Sequence, residues 1–292
     1  MLEHLNPAAA APRRVVIIGA GGFVGGSIRA RLESGGVATL ALTRKEVDLL
    51  QPGAAARLAG LLRPADAIVL VSAIAPAKTV SMLMDNLRMA QTVCDALAGA
   101  ELSHLLYISS DAVYADDQNP VTEFSYCAPS TLHGMMHAAR ELMLNNATAA
   151  QVAFLRPTLI YGAADPHGGY GPNRFRHQAG KGEPITIFGE GEEKRDHILV
   201  DDVASLAALM LQHRSRGALN AVTGVSTSFH DIARLVAAQF GGRVEVKSVP
   251  RPGPRPHLLH RFFDITQCHQ AFPGFRFTPL AEGLARCVPG KS

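Results

Sequence analysis

The stretch Arg14-Val-Val-Ile-Ile-Gly-Ala-Gly-Gly-Phe-Val-Gly-Gly-Ser-Ile28 runs from four β-branched residues through a glycine turn directly into a helix-like segment. Gly19, Gly22 and Gly25 are spaced G-x-x-G-x-x-G, and the G-x-G-x-x-G reading stops at Val24. Glycines at a strand-to-helix turn make it tight, let the backbone approach a pyrophosphate and leave free N–H groups at the helix start. The turn therefore points to a dinucleotide, with Gly19, Gly22, Phe23, Val24 and Gly25 as the residues that would meet it.

Outward from this turn, short apolar runs alternate with amphipathic segments. Val15–Ile18, Val37–Leu42, Ala67–Val71, Leu105–Ile108 and Val152–Leu155 read as strands, and Phe23–Leu32, Ala54–Leu62, Thr79–Leu97 and Thr131–Asn146 as the helices between them. Such alternation predicts an α/β, Rossmann-type doubly wound parallel sheet, its strands covered on both faces. Past Arg156-Pro157 the segment Gly162 to Gly191 is dense in Gly, Pro and His and reads as an excursion from the sheet. A strand Ile198–Val200 and a helix Asp201–Leu211, capped by Asp201 or Asp202, return to it. From Ser228 follow a helix, a strand Val244–Val246, a Pro/Arg/His-rich loop from Pro250 to His260 and two short helices. The expected division is a loose tail over 1–13, a dinucleotide-binding domain over 14–161 plus 195–225, and a small substrate-binding lobe over 162–194 plus 226–292.

Composition limits the partners. The 292 residues carry a formal charge of +3 with 47% hydrophobic and 18% charged residues, and no run of five Lys/Arg occurs, so neither nucleic acid nor an anionic membrane is indicated. Four widely spaced cysteines without C-x-x-C suit reduced thiols. The start lacks the basic and apolar regions of a signal peptide, and no apolar stretch spans a bilayer, so a cytoplasmic location is expected. The second strand ends Leu42-Thr43-Arg44-Lys45 with no carboxylate before Glu46. Basic residues there favour the extra phosphate of NADP over NAD, the alternative being a merely solvated strand end. Thr43, Arg44, Asp48, Leu49, Ser72 and Ala73 complete the candidate cofactor residues, Asp48-Leu49 near the adenine.

Together with the glycine turn, Tyr107-Ile-Ser-Ser-Asp-Ala-Val-Tyr114, Arg156-Pro-Thr-Leu-Ile-Tyr-Gly162 and Ile187-Phe-Gly-Glu-Gly-Glu-Glu-Lys-Arg-Asp-His-Ile-Leu-Val-Asp-Asp-Val203 strongly resemble the extended short-chain dehydrogenase/reductases. The likeness continues to Phe263-Asp-Ile-Thr266 and Phe277-Thr-Pro-Leu-Ala-Glu-Gly-Leu284. It implies nicotinamide-dependent chemistry on a nucleotide sugar by an epimerase, dehydratase or ketoreductase, commonly a homodimer. It implies that Ser110 bonds the reacting sugar oxygen and that Arg195 holds the nucleotide diphosphate, unless Arg195 merely pairs with Asp196, Asp201 or Asp202. Asn173 and Arg251 are further candidates for the substrate.

The departure lies at the chemistry. Where the family carries Tyr-x-x-x-Lys, matching the preceding proline, the small residue after the tyrosine and the glutamate aligns Pro129-Ser-Thr-Leu-His-Gly-Met-Met-His-Ala-Ala-Arg-Glu141, which places His133 at the tyrosine and His137 at the lysine. An imidazole near pKa 6.5 can exchange a proton at neutral pH without a lysine, and His137, one turn on, faces the same way and can bond the ribose and support catalysis. Active histidine chemistry competes with a catalytically silent protein that binds NAD(P) or a nucleotide sugar. His133, His137 and Glu141 also share one helix face like zinc ligands, but a zinc-hydrolase helix needs a glutamate where Gly134 stands, so no metal is expected. Asp111 matches the acid of the family's 4,6-dehydratases, yet Ala112 replaces the second carboxylate. Epimerisation or ketoreduction is then favoured over dehydration, with Asp111 as a supporting acid.

Overall fold

A computed structural model describes residues 2–253 and 258–288. Its chain opens with β1 (Glu3–His4), then β2 (Val15–Ile18), α1 (Phe23–Ser34), β3 (Thr39–Leu42), α2 (Ala54–Ala59), β4 (Ala67–Leu70), α3 (Val80–Leu97) and β5 (His104–Ile108). A 3-10 turn over Asp111–Val113 leads to α4 (Leu132–Ala147), β6 (Val152–Pro157), β7 (Leu159–Tyr161), α5 (Pro172–Gly180), β8 (Ile185–Phe188) and β9 (Lys194–Leu199). After α6 (Val200–Gln212) come β10 (Ser215–Ala221), β11 (Ser226–Ser228), α7 (Phe229–Gln239), β12 (Val246–Val249), α8 (Thr266–Ala271) and α9 (Leu280–Arg286).

The large sheet runs β1-β10-β6-β5-β4-β2-β3, parallel except at β1. β2, β4 and β5 are wholly buried, because helices cover both faces and apolar clusters fill both sides. From β2 the chain turns first to β3 on one side and then to β4 on the other. That reversal at the strands' carboxyl ends is where a doubly wound sheet opens a crevice. A smaller sheet, β11-β9-β7, and the pair β12-β8 surround a third core built on Phe175, Ile185, Phe229 and Ile232. Among the described residues no helix is long and apolar enough to cross a membrane.

Several boundaries differ from the sequence reading. The stretch expected as a loose tail contributes β1, which pairs antiparallel with Arg216 and Ser215; Leu2 is buried and His4 bonds Ser215 Oγ at 2.9 Å. Pairing with an otherwise open sheet edge orders a segment too short to show a pattern. Neither Asp201 nor Asp202 caps α6. Its N-cap is Leu199, since the helix leaves β9 without a loop, and Asp202 instead accepts from Thr278 N–H at 2.7 Å and Thr278 Oγ1 at 2.9 Å. The Gly/Pro-rich excursion contains α5 and β8, and the strand placed at Val244–Val246 begins at Val246, where pairing with Ile185 starts. Within the Pro250–His260 loop, residues 254–257 lie outside the described residues.

What fixes α4 is a buried ion pair. Arg156 on β6 meets Glu141 through Nε at 2.9 Å and Nη2 at 2.5 Å, both side chains being 8% exposed. Ser109 Oγ donates to the same carboxylate at 2.6 Å, and Arg156 Nη1 donates to Tyr114 Oη at 2.8 Å, whose hydroxyl reaches Asn220. Removing one member of such a pair strands a charge away from water. Glu141→Ala is accordingly expected to lower unfolding free energy by about 3–5 kcal/mol in denaturant titrations, while a loss under 1 kcal/mol would contradict this account of α4.

Candidate functional site

A cleft of about 1280 Å³ opens along the carboxyl ends of the sheet strands, and every candidate cofactor, catalytic and substrate residue named from the sequence lines it. At one end sits the glycine turn. Gly19 has φ +102°, and a Cβ there would lie 2.7 Å from Ser72 N; a Cβ at Gly25 would lie 2.2 Å from the Gly19 carbonyl oxygen. The first intrahelical bond of α1 runs from Gly26 N–H to Gly22 O at 2.8 Å. The N–H groups of Phe23, Val24 and Gly25 therefore precede any intrahelical partner, with no acidic side chain in that turn. Bare donors at a helix N-terminus, beside Gly19 and Gly25 whose close contacts leave no room for a side chain, fit a diphosphate.

Beyond β3, Glu46 folds back and accepts from Thr43 N–H at 2.8 Å and Thr43 Oγ1 at 2.6 Å. The carboxylate closest to the strand end is thus occupied, while Arg44 and Lys45 are exposed at the rim. Asp48 accepts from Leu50 N–H at 3.1 Å, and buried Leu49, with Ser72 and Ala73 past β4, forms the adjoining wall.

The centre of the cleft is built by β5 and α4. Ser110 caps the 3-10 turn by accepting from Ala112 N–H at 3.2 Å, and Thr131 caps α4 by accepting from Gly134 N–H at 3.1 Å. A Cβ at Gly134 would fall 2.0 Å from the Ala112 carbonyl oxygen and 2.7 Å from Pro129 Cβ, so the small residue after His133 lets α4 touch the turn that carries Ser110. His133 and His137 rings meet edge to face at 4.7 Å. Burial holds His133 below the usual imidazole value. Its Nδ1 lies 3.5 Å from Ala77 N–H, too long to fix the ring. His137 is pushed further down, by burial first and then by His133 and Arg140, and its Nδ1 lies 2.6 Å from Tyr107 Oη. Glu141 belongs to Arg156 and Ser109, so the carboxylate does not join the two imidazoles.

Asp111 is raised by burial, an effect opposed by Arg261, whose Nε lies 3.6 Å from Asp111 Oδ2. Arg261 thus acts on the acid that the sequence left alone. At the far end Arg195 is held by the carbonyls of Lys194, at 2.8 Å, Leu259, at 3.1 Å, and Leu258, and not by the carboxylates considered above. Arg251 pairs with Glu193 at 2.6 Å and lies over the Phe188 ring at 5.4 Å. Asn173 accepts from Gly162 N–H at 3.4 Å and donates to Asp165, which locks its amide at the cleft wall.

Sequence reasoning missed the lining formed by Tyr170, Phe188, Phe229, His197 and Arg261. Tyr170 stacks on Phe188 with centroids 4.6 Å apart. His197 is 4% exposed, neither ring nitrogen has a hydrogen-bond partner among the described residues, and burial pushes it to about 3. A histidine directly after Arg195-Asp196, inside a strand, was the available signal; Arg261 gave none, because it reaches Asp111 across 150 residues.

The model of the NAD dependent epimerase/dehydratase family matches residues 15–223. Among solved structures, a UDP-glucose 4-epimerase from Thermotoga maritima with UDP-glucose superposes with a TM-score of 0.83 at 20% identity, covering 94% of this chain and 97% of that one. A GDP-L-fucose synthetase from Naegleria fowleri bound to NADP gives 0.84 at 15% identity over 99% and 96%. A UDP-glucose 4-epimerase from Thermus thermophilus in complex with NAD gives 0.81 at 23% over 94% and 97%. At these identities the likeness establishes a shared fold.

The contact at Gly134 yields a test. Gly134→Ala should cost about 1–3 kcal/mol, the usual scale of overpacking, and push the start of α4 away from Ala112. A variant as stable as the parent, by thermal unfolding, would mean α4 does not depend on this approach.

Proposed function

Because this chain belongs to the NAD dependent epimerase/dehydratase family, we propose that it is an NAD(P)-dependent enzyme that epimerises or reduces a nucleotide sugar at a ring carbon, with His133 as the acid–base group. The observation that carries this reading is a single cleft joining the bare N-terminus of α1 to Ser110 and His133. A nicotinamide dinucleotide, when bound, supplies the hydride acceptor or donor. The N–H groups of Phe23, Val24 and Gly25 would hold its diphosphate and His137 its ribose.

Oxidation of a carbinol releases the hydroxyl proton, and neutral His133 can take it; in the reverse direction the imidazolium returns it to the carbonyl oxygen. Ser110 would hold that oxygen by a hydrogen bond. Arg195, with Arg251 and Asn173, would bind the nucleotide diphosphate, guanidinium being suited to paired phosphate oxygens. Pairing of Asp111 with Arg261, and Ala112 beside it, supports epimerisation or ketoreduction over elimination of water. The test is incubation with NADP or NAD and a panel of UDP-, dTDP- and GDP-sugars, with product separation. Tight binding of cofactor and nucleotide sugar without turnover would assign the silent binding role instead.

We also propose NADP as the preferred cofactor, from the occupied Glu46 carboxylate and the exposed Arg44. Arg44→Ala should weaken NADP by more than about 1 kcal/mol and spare NAD, measured by calorimetry; equal losses would refute the assignment.

His133→Ala should cost about 100-fold or more in turnover with cofactor binding intact. The pH profile has a defined sign. Burial lowers the folded pKa below 6.5, so the neutral form prevails at pH 7. Sugar oxidation should be flat above 6.5 and fall as pH drops through the lowered value, whereas reduction, which needs the imidazolium, should gain as pH falls. Profiles unaltered by His133→Ala would remove it from the chemistry.

A further inference from the structure

Tyr107 lies in the middle of β5, between Leu70 of β4 and Phe154 of β6, with no accessible surface. Among the described residues its hydroxyl has one hydrogen-bond partner, His137 Nδ1 at 2.6 Å. A buried hydroxyl that cannot donate loses about 1–3 kcal/mol. If Nδ1 carried the hydrogen, it would donate to the tyrosine oxygen and the phenolic hydrogen would have no acceptor. The arrangement that satisfies both groups has the phenol donating to a bare Nδ1, which places the ring hydrogen on Nε2.

We infer that Tyr107 is a positioning residue that locks His137 in the tautomer with hydrogen on Nε2, making α4 a fixed N–H donor toward the ribose hydroxyls of the bound dinucleotide. This rests on the proposed reading of the cleft, in which His137 faces the cofactor. Arg140 reinforces it. Its guanidinium is buried, lies 5.0 Å from the Tyr107 ring centroid and donates to Ser72 O at 2.7 Å, and among the described residues no carboxylate bonds it. A cation held there opposes a second positive charge on His137, so the ring stays a single-hydrogen donor. Among the described residues the His133 ring, four residues earlier, has one hydrogen-bonding contact, the 3.5 Å approach to Ala77 N–H, and its hydrogen is free to move between nitrogens. The two histidines therefore divide the work: one ring is locked as donor and the other left labile.

The test uses the full chain labelled with [15N]histidine, His137 being assigned by its disappearance in His137→Ala. Long-range proton–nitrogen correlation spectra should show hydrogen on Nε2 and none on Nδ1 in the wild type, and exchange between both forms in Tyr107→Phe. Calorimetry with NADP and NAD should show Tyr107→Phe weakening binding by about 5- to 10-fold, the scale of one disturbed hydrogen bond. In a His137→Ala background the same change should add no further loss, because it acts only through that ring. Hydrogen on Nδ1 in the wild type would overturn the inference without any Tyr107 variant having to fold. Equal loss in both backgrounds, the mark of a general structural role, would overturn it too. Neither measurement requires turnover. A protein that gives these results but converts no nucleotide sugar retains the inference and loses the enzymatic reading, and one that binds neither dinucleotide loses the inference along with the cofactor assignment.

Discussion

The pair between Glu141 and Arg156 is the constraint on which the working part of the cleft depends. Two charges removed from water must be matched in geometry or they destabilise the fold, and here the match is completed by Ser109, Tyr114 and Asn220. The pair ties the middle of α4 to β6, while Thr131 and Gly134 tie its first turn to the segment after β5. With both ends of the histidine-bearing stretch held, His133 and His137 have little freedom to leave the cleft. Ser109 and Ser110 divide along the chain: Ser109 turns inward to the carboxylate, and Ser110 caps the next turn at the cleft wall.

That lattice explains why motifs far apart in sequence accompany one another. Tyr114 belongs to the Ser-Ser-x-x-Val-Tyr element, Arg156 to the Arg-Pro element, and Glu141 to the helix of the histidine pair, yet they share one buried network. Asp196 accepts from Thr223 N–H at 3.1 Å and Gly224 N–H at 2.7 Å, and burial raises it to about 6. Asp202 holds Thr278, and a Cβ at Gly283 would strike the Tyr161 hydroxyl. Much of what reads as a functional signature is thus packing between the sheet and the C-terminal segment, which keeps the two ends of the cleft in register.

The parts legible in the sequence were those governed by local physics. β2 was placed to the residue, because four β-branched residues end at a glycine turn, and Thr79 and Thr131 mark helix starts because their hydroxyls accept from N–H groups three residues on. The proline, glycine and glutamate around the histidine pair singled out two side chains that line the cleft. What could not be read depended on contacts across long separations. Glu3-His4 is ordered by an edge more than 200 residues away, and Arg261 reaches Asp111 from the far end of the chain. Asp202 looks like a cap in sequence, and only the position of Thr278 shows its other use. Tyr107 sat inside a correctly placed strand, but nothing local reveals that its hydroxyl points at His137.

In the proposed reading, the two histidines of α4 are coherent as a pair. A phenol near pKa 10 needs a neighbouring cation to come within reach of neutral pH. An imidazole does not, and the same cation would drive it the wrong way, since positive charge disfavours protonation of a base that burial has already lowered. With histidine at position 133, a lysine four residues on would therefore hinder proton return to a carbonyl. A neutral histidine at 137 keeps a donor at that point of the helix without its charge. Arg140, bonded to the Ser72 carbonyl and lying over the Tyr107 ring, bears on His137, while the lowering of His133 comes from burial alone.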